Sequence, residues 1–548
     1  MQSFSPPSDN RQQNSFVKAG SDRRRKWKVL ISVTFGTFMV ILDSTAVNVA
    51  IPTLQKVFGT PGHPATVDQI DGILTGYILA LGIITPLAGY LAERSGIKRV
   101  YLTALGLFVA GSFLCSLAPS LLFLVIFRIL QGLGGGMLGP LGIALLFGAF
   151  PEKERGLAFG LFGIPLVVAP ASGPVLGGYF VEYLNWRYIF YINIPVGIAG
   201  ILLGYLWLRE QRRGVQARLD LPGVVLSTIS FGTLLYAIQR GASLGWTSPT
   251  ILSLLGAGIL ALAAFLIVEL RTKEPLLDLR LFGRRTFAFA NIIGWVSSIA
   301  LFGAEFLLPL YLQTLRDRTP LQTGLLLLPL ALASGVTTPL AGALYNRVGP
   351  RWLIAGGSIL LAFNTWEFAH LTLHTSFLEL MGIVAIRGVA LGMVLQTTLT
   401  IALFGLSPAQ LPRASSLLNA LRNVFQSFGV ALLGTIVTHQ VTSYQEAARN
   451  ALSEPASALG QQFIHLVQRL AQQGMPQAVA ARAAAGQILG SLFPLHFLQG
   501  LNDAYTVTFW LAVASIFLAF TLPTHPRRHQ PERGKDEMEE KARPQPAV

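Results

Sequence analysis

Three ionisable side chains lie inside long apolar segments of this 548-residue chain, where charge is rare. Asp43 and Arg128 fall near the middle of two such segments, and Glu305 falls within a third. An ionisable group at the bilayer centre costs about 2.5–3.5 kcal/mol on insertion scales, so it is usually paired or lines a wet cavity. A buried carboxylate that water reaches from alternating sides can bind and release a proton, and these three residues are our candidates for proton coupling.

Each of these assignments has a structural alternative. Asp43 and Arg128 could form a permanent ion pair that locks the N-terminal helices together. Glu305 has no nearby partner in the sequence. It could bind a proton or a substrate cation, or it could lie at the membrane interface with its side chain in the external water. The sequence leaves both alternatives open.

Amide and aromatic side chains within the apolar segments suit the lining of a substrate cavity. Few charges among many aromatics favour amphipathic, often cationic compounds bound with loose specificity, whereas a sugar or peptide carrier would offer more convergent polar groups. Arg387 and Arg422 are expected to be cavity or packing cations in the C-terminal half. The predicted cavity residues are Asn48, Gln131, Asn193, Asn291, Trp295, Tyr311, Asn419 and Gln426.

Other chemistries lack the residues that they need. No Gly-x-x-x-x-Gly-Lys-Ser/Thr string occurs, so ATP is not the expected energy source. His370 and His374 have the spacing of a metal pair but no third ligand in sequence, and the single Cys115 excludes a disulfide framework. A membrane-embedded acyltransferase would need a Ser/His or His/Asp site near a membrane face, and none emerges. We therefore predict no enzyme, no cofactor and no metal.

The elements that must position these residues are apolar helices. Hydrophobic residues make up 52% of the chain and charged residues 12%, with mean hydropathy +0.55, as in a membrane protein. About 20 apolar residues cross ~30 Å of hydrocarbon, and fourteen such runs occur. The predicted spans are 29–51, 69–91, 98–118, 121–147, 156–181, 188–208, 220–240, 249–270, 286–312, 322–345, 351–371, 377–405, 413–440 and 505–523.

Basic residues concentrate in alternate gaps between these spans. Most of the 41 Lys and Arg residues fall in segments that are cytoplasmic if the N-terminus is inside. The net charge of +15 is therefore expected to orient helices in a bilayer and not to bind nucleic acid. We predict that both termini are cytoplasmic and disordered. A long external segment at 441–504 is predicted to contain amphipathic helices.

A duplicated string divides the chain into two halves. Thr-Pro-Leu-Ala-Gly occurs at 85–89 and at 338–342, and each copy is followed by Arg-x-Gly-x-base. Internal repeats of this kind are typical of transporters, so we predict two six-helix halves and a two-helix insert. The predicted domains are a disordered N-terminus (1–28), the N-terminal half (29–208), the insert (209–285), the C-terminal half with its external loop (286–523) and a disordered tail (524–548).

Several motifs resemble the major facilitator superfamily, and within it the fourteen-helix drug:proton antiporters of the EmrB/QacA type. Leu-Asp-Ser-Thr-Ala-Val-Asn-Val-Ala-Ile-Pro at 42–52 is similar to a string in the first helix of that group. Residues 128–134 match its Arg-x-x-Gln-Gly-x-Gly, and 186–197 resemble its string before and into the sixth helix. The resemblance implies an all-α membrane fold with the helices of Asp43 and Arg128 against a central cavity.

Two conformational motifs also follow from the resemblance. Residues 89–99 are similar to the superfamily loop Gly-x-Leu-Ala-Asp-Arg-x-Gly-Arg-Lys, with Glu93 in place of Asp and Ile97 in place of a base, and imply a cytoplasmic charge lock. Residues 173–178 match the antiporter string Gly-Pro-x-x-Gly-Gly, whose Pro and Gly residues suit a helix about which the halves rock. The motif residues are Gly89, Glu93, Arg94, Gly96, Lys98 and Arg99 in the loop and Gly173, Pro174, Gly177 and Gly178 in the helix.

We therefore predict a proton-driven multidrug exporter, with a role in antibiotic resistance, in the cytoplasmic (inner) membrane of a bacterium. In Gram-negative relatives that the chain resembles, a periplasmic adaptor and an outer-membrane channel join the pump, and the segment 441–504 is compatible with such a partner. Export of a lipid, fatty acid or siderophore by the same proton antiport is the main alternative. A non-transporting interaction protein that docks through 441–504 is a further one.

Overall fold

The computed structural model describes residues 23–59, 67–151, 154–210, 220–272, 275–407, 410–454 and 457–524. Within these ranges the chain forms sixteen α-helices and no β-strand. The first nine are α1 Arg23–Phe58, α2 Val67–Ser95, α3 Ile97–Ser116, α4 Leu121–Ala149, α5 Arg155–Tyr183, α6 Tyr188–Tyr191, α7 Asn193–Trp207, α8 Leu221–Leu244 and α9 Pro249–Arg271. The other seven are α10 Arg285–Leu310, α11 Pro320–Val348, α12 Pro350–Phe368, α13 Phe377–Ala402, α14 Leu411–Ser453, α15 Ala458–Gln472 and α16 Gln477–Ala519.

Thirteen helical segments in the described residues are long and apolar enough to cross a membrane. They correspond to thirteen of the fourteen predicted spans, with α6 and α7 joined into one. The fourteenth predicted span, 351–371, is the 19-residue helix α12. Arg351, Asn364 and Glu367 add polar side chains to this short helix. The all-helical membrane fold is therefore confirmed, whereas the count of fourteen spans stays a prediction.

The beginning of the chain differs from its prediction as a disordered segment. α1 begins at Arg23, so the last residues of the predicted disordered N-terminus are helical. Lys26 forms an ion pair with Glu154, and Trp27 packs edge-on against Phe150 with ring centroids 5.8 Å apart, which fixes this first turn. Residues 1–22 and 525–548, the rest of the predicted tails, lie outside the described residues.

The duplicated sequence string is also a structural repeat. Gly96 joins α2 to α3 with a φ of +93°, and Gly349 joins α11 to α12 with a φ of +87°. Both values lie in the left-handed region, which glycine adopts without the steric cost of a Cβ. The second copy lies within α11, a helix that begins with a capping box formed by Thr319 and Gln322. The same tight corner therefore ends the second helix of each half.

The segment 441–504 is not a loop that separates two short spans. α14 and α16 are each 43 residues long, about 65 Å at 1.5 Å per residue, which is roughly twice the hydrocarbon thickness. The two helices run through most of 441–504, and the predicted span 505–523 is the end of α16. α15 connects them and packs on both. Ala-rich sequence at 478–485 explains the extension, since Ala is the strongest helix former.

Two groups of helices, α1–α7 and α10–α16, surround the predicted site residues. One apolar core contains residues of both groups at the end of the bundle where α2 ends and α14 begins, which we call the lock face. Towards the opposite end each group has an apolar core of its own. The two groups are therefore joined at the lock face and separately packed away from it.

Two helix pairs carry the boundary between the groups. α5 packs along α11, and α2 packs along α14. α8 of the insert packs against both α2 and α14, while its partner α9 turns apolar side chains outwards, with Leu260 73% exposed. Exposed leucine on a helix of this length suits contact with lipid. In the described residues, the insert therefore packs beside the pair α2 and α14 and not beside the pair α5 and α11.

Candidate functional site

Asp43 lies on α1 and is enclosed by donors from two other helices. The Arg128 guanidinium of α4 donates to Oδ2 of its carboxylate. The side-chain amides of Gln131 and Asn193 donate to Oδ1 over 3.0 and 2.8 Å. All four side chains belong to residues that are at most 1% exposed. The two residues predicted for proton coupling, Asp43 and Arg128, thus form a single buried network with two predicted cavity residues, Gln131 and Asn193.

Further contacts hold this network in place. Gln131 donates to Ser112 Oγ over 2.7 Å, and Arg128 donates to Gln131 Oε1 over 2.8 Å. The guanidinium also stacks over the ring of Tyr77, 4.1 Å from its centroid, in a cation–π contact. Sequence reasoning missed Tyr77 and Ser112, because no motif links α2 or α3 to a charge on α4. Only the packing of the helices reveals them.

Two glycines of α5 let this helix approach the backbone of α1 beside Asp43. A Cβ on Gly173 would lie 2.0 Å from Thr45 Oγ1, and a Cβ on Gly177 would lie 2.7 Å from the carbonyl oxygen of Ala46. Real Cβ atoms do not come so close to other heavy atoms. The four-residue spacing of these glycines thus gives α5 a flat face on which α1 rests.

The other residues of the same motif face the second group of helices. A Cβ on Gly178 would lie 3.7 Å from Leu321 of α11, an ordinary contact. The Cβ of Pro174 lies 3.2 Å from where a Cβ on Gly324 would be. The Gly-Pro-x-x-Gly-Gly string therefore lies between α1 and α11 and contacts both groups of helices.

The corner between α2 and α3 is held by Glu210, which follows α7. The backbone N–H groups of Lys98 and Arg99 donate to its carboxylate over 3.3 and 3.2 Å. A carboxylate at a helix N-terminus satisfies free N–H groups and favours the helix dipole. A Cβ on Gly96 would lie 2.3 Å from Glu210 Oε1, so glycine also makes room for this cap. Arg94 is exposed.

Glu93 and Arg413 form an ion pair between the two groups of helices at the lock face. Nη2 of Arg413, at the start of α14, donates to Oε2 of Glu93, near the end of α2, over 2.6 Å. Close backbone packing accompanies the pair, since a Cβ on Gly89 would lie 2.5 Å from the carbonyl oxygen of Pro412. The sequence suggested a charge lock here but did not give Arg413 as the partner.

Two buried carboxylates of the insert lie near this ion pair. Asp220 caps the start of α8 and is 7% exposed. Glu269, near the end of α9, is 1% exposed and accepts hydrogen bonds from the backbone N–H groups of Leu276 and Leu277, each over 3.2 Å. Glu269 interacts electrostatically with both Asp220 and Arg413. Sequence reasoning missed both acids, which connect the insert to the lock face.

A small cavity that is partly open to solvent lies among α10, α13 and α14. Asn291, Trp295 and Asn419, three of the predicted cavity residues, line it together with Arg422. Trp295 stacks on Phe425 with ring centroids 4.6 Å apart. Arg422 donates to Asn419 Oδ1 over 2.9 Å. The cavity therefore combines an aromatic stack with a cation held in a fixed orientation.

The remaining predicted cavity residues join neither of these two sites. Tyr311 is buried, donates to the carbonyl oxygen of Thr372 over 2.6 Å and accepts from Arg316 over 2.8 Å. Asn48 is exposed on α1, and Gln426 is half-buried on α14. Tyr311 thus holds the turn after α10 to the segment after α12.

Arg387 of α13 is the buried cation of the second group of helices. It is 1% exposed and donates to the carbonyl oxygen of Leu301 on α10. Glu305 lies on α10 one helical turn after Leu301, and its side chain lies outside the described part of the structure. A proton or substrate role of Glu305 therefore stays a prediction.

Comparison with known proteins agrees with the all-helical membrane fold. The family model described as Major Facilitator Superfamily matches residues 33–430. The uncharacterized MFS-type transporter YhcA of Bacillus subtilis (strain 168) is 31% identical over 514 residues, which cover 92% of this chain and 95% of that protein. The multidrug resistance protein B homolog of Mycobacterium tuberculosis (strain ATCC 25618 / H37Rv) is 32% identical over 478 residues, 84% and 87% of the two chains.

The fold is shared with a solved structure of low sequence identity. The crystal structure of the human organic anion transporter MFSD10 (TETRAN) matches with a TM-score of 0.58 at 13% identity. The match covers 90% of this chain and 99% of that one. Similarity at this level shows a common arrangement of helices. It does not indicate which compound this chain transports.

Proposed function

This chain belongs to the major facilitator superfamily, and we propose that it is a proton-coupled exporter of amphipathic compounds. Proteins of this superfamily are membrane transporters and not enzymes. The observation that carries the proposal is the Asp43 carboxylate, 1% exposed and enclosed by Arg128, Gln131 and Asn193. Every bond to it comes from a donor, so a proton on Asp43 would compete with the bonds that join α1 to α4 and α7.

Coupling to transport would pass through α5. A proton on Asp43 would neutralise the partner of the buried Arg128, and a buried charge without a partner is costly. α1 touches α5 through Gly173 and Gly177, next to Asp43, and α5 touches α11 of the other group. Alternating access in such folds is a rocking of one half against the other. We expect protonation to bias that motion.

We propose that the lock face is cytoplasmic, with both termini on the same side of a bacterial cytoplasmic membrane. The concentration of basic residues at 94–99 and in the first turns of α1, at 23–28, supports this orientation. The single apolar core at the lock face, compared with the separate cores opposite, is what a carrier closed towards the cytoplasm would have. The Glu93–Arg413 pair would open and close with each cycle.

The expected cargo is amphipathic and often cationic. Stacked Trp295 and Phe425 and the amides around them suit aromatic compounds of varied shape. A relative that covers most of this chain is named for multidrug resistance, which supports the same class. Glu305 would be a second site for a proton or a substrate cation. A periplasmic adaptor protein would dock on the extended ends of α14 and α16, beside α15.

The test is substrate-driven proton release. Everted membrane vesicles that contain the wild-type chain or Asp43→Asn are energised, and a pH-sensitive dye follows proton movement when a panel of lipophilic cations is added. Asparagine keeps the size of Asp43 but cannot carry the charge, so we expect a signal from the wild type and none from the variant. Glu379→Gln, an exposed acid-to-amide change in the first turn of α13, is the matched control and should behave as wild type.

Two other results would redirect the assignment. Normal antiport in Asp43→Asn would reduce Asp43 to a structural partner of Arg128 and leave Glu305 as the proton carrier. A flat response of the wild type to the whole panel would contradict drug export and favour a lipid, fatty acid or siderophore as cargo.

A further inference from the structure

The cavity among α10, α13 and α14 contains polar atoms that the protein itself leaves without partners. Asn291 Oδ1, Trp295 Nε1, Ser298 Oγ and Arg422 Nε are buried and have no hydrogen-bond partner among the described residues. Buried polar groups are nearly always paired, so four such atoms around one cavity need an explanation. A bound ligand with complementary groups would supply it.

Donors and positive charge dominate this unsatisfied set. Arg422 Nε and Trp295 Nε1 can only donate, and Ser298 Oγ can donate as well. The guanidinium of Arg422 is the single charged group among the described lining residues. A cation would therefore be repelled here and would leave these donors unpaired, whereas a carboxylate would accept from them.

The Arg422 guanidinium is held by the protein at one terminal nitrogen, while its Nε has no hydrogen-bond partner among the described residues. Arg422 uses one terminal nitrogen to donate to Asn419 Oδ1 over 2.9 Å, and Asn419 in turn donates to the carbonyl oxygen of Ser415 over 2.8 Å. Asn419 thereby fixes the plane of the guanidinium, and Arg422 is left with further N–H groups in a planar fork, the geometry that suits a carboxylate. The site is therefore arranged before a ligand arrives.

An aromatic wall completes the site. Trp295 and Phe425 stack with their planes 15° apart, which holds the indole ring in place. Leu395, Leu399 and Leu418 supply apolar surface around the polar groups. A ligand that matches these features has a flat apolar body and an anionic oxygen at one end.

We infer that this cavity binds amphipathic aromatic carboxylates, with the carboxylate on Arg422 and the Trp295 N–H and the ring against the apolar wall. The inference rests on the proposed export of amphipathic compounds and narrows the class that this subsite accepts. Amphipathic cations, which we also expect as cargo, would use other residues. The subsite accordingly prefers an anion to a neutral or cationic molecule of the same shape.

Binding to the purified full-length protein in lipid nanodiscs tests this preference without a proton gradient. Radiolabelled 2-naphthoate, an anion at pH 7, is displaced by unlabelled 2-naphthoate, by the neutral 2-naphthamide or by 2-naphthylmethylammonium. We expect 2-naphthoate to bind about tenfold or more tightly than the amide, since hydrogen bonds to a charged group are the stronger ones. The ammonium compound should be the weakest of the three.

Variants assign the preference to the cavity. Arg422→Gln should reduce the ratio of naphthoate to naphthamide affinity to about one, and Arg422→Lys should keep part of it because the charge remains. Trp295→Phe keeps an aromatic ring but lacks the N–H, and should weaken naphthoate more than naphthamide. Arg469→Gln, an exposed Arg of α15, is the matched control and should bind as wild type.

Two outcomes overturn the inference. Equal wild-type affinity for naphthoate and naphthamide would mean that the unpaired donors of the cavity do not select an anion. This comparison needs only the wild-type protein, so it overturns the inference even if Arg422→Gln does not fold. An unchanged preference in a folded Arg422→Gln would put the anion elsewhere. A flat wild-type response in the vesicle test would contradict the proposed drug antiport, whereas an Arg422-dependent preference measured in nanodiscs would remain valid.

Discussion

The carboxylate of Glu93 and the guanidinium of Arg413 lie 2.6 Å apart across the boundary between the two groups of helices. Their side chains are 21% and 16% exposed, so water screens the pair only in part. Glu93 lies near the end of α2, the helix that carries the first copy of the duplicated string, and Arg413 lies near the start of the long helix α14. An interaction between these two elements can exist only while the lock face is closed.

Glu93→Gln should therefore shift the protein towards a state that is open at the lock face. A partly exposed ion pair contributes up to about 1 kcal/mol, which corresponds to about a fivefold change in the ratio of the two states. Spin labels on Ser95→Cys and Arg347→Cys, both exposed, in a Cys115→Ala background would report the separation by double electron–electron resonance. We expect more of the longer distance.

The reversed pair provides the control for that experiment. Glu93→Arg combined with Arg413→Glu restores opposite charges and should return most of the distance distribution to that of the wild type. An unchanged distribution in Glu93→Gln would show that backbone packing around Gly89, and not the charge pair, closes this face.

Two adjacent glycines of α5 should differ in their sensitivity to the same substitution. A Cβ on Gly177 would lie 2.7 Å from the carbonyl oxygen of Ala46, part of a helix backbone that cannot move aside. A Cβ on Gly178 would lie 3.7 Å from Leu321, an ordinary contact. We expect Gly177→Ala to lower the apparent melting temperature in detergent and to reduce transport, and Gly178→Ala to leave both near the wild-type values. Equal effects would contradict the packing argument.

Much of the fold can be predicted from the sequence because it depends on local properties of the chain. A run of apolar residues of bilayer length predicts a spanning helix wherever it occurs, and thirteen helices of the structure match such runs. The length of α14 and α16 was not legible in this way. The residues at 478–485, near the start of α16, have high helix propensity but lack the long apolar run of a spanning helix. A search for apolar runs therefore detects only part of this helix.

Contacts within the site could be predicted from the sequence only where the residues share a helix face. Arg128 and Gln131 are three residues apart, so their contact follows from helical geometry. The contact of Asn193 with Asp43 joins residues far apart in the chain, and it depends on how α7 packs against α1. The role of Glu210 could not be predicted, because a single acidic residue after a helix forms no recognisable sequence pattern. Its contact with the start of α3 is seen only in the structure.

Glu210→Ala should loosen the start of α3. The variant removes the acceptor for the backbone N–H groups of Lys98 and Arg99, and loss of a helix cap costs about 1 kcal/mol. Hydrogen–deuterium exchange at 97–100 should accelerate roughly fivefold, in proportion to that cost. Glu182→Ala, an exposed acid near the end of α5, is the matched control. Unchanged exchange at 97–100 would mean that Glu210 does not cap α3 in the membrane.

The Asp43–Arg128 pair allows its two possible roles to be separated by a double substitution. Arg128→Met alone leaves Asp43 buried without its cation and should destabilise the protein by about 3–5 kcal/mol. Asp43→Leu combined with Arg128→Met removes both charges, and buried ion pairs replaced by apolar residues are often neutral or stabilising. The double variant should therefore melt near the wild-type temperature.

Transport by the stable double variant then distinguishes a lock from a proton carrier. If the pair only holds α1 to α4, apolar packing replaces it and substrate-driven proton release persists in vesicles. If Asp43 carries the proton, the double variant folds but releases none, because no titratable group is left at that position. Our proposal predicts the second result. Persistent proton release with normal melting would instead leave Asp43 and Arg128 a structural pair.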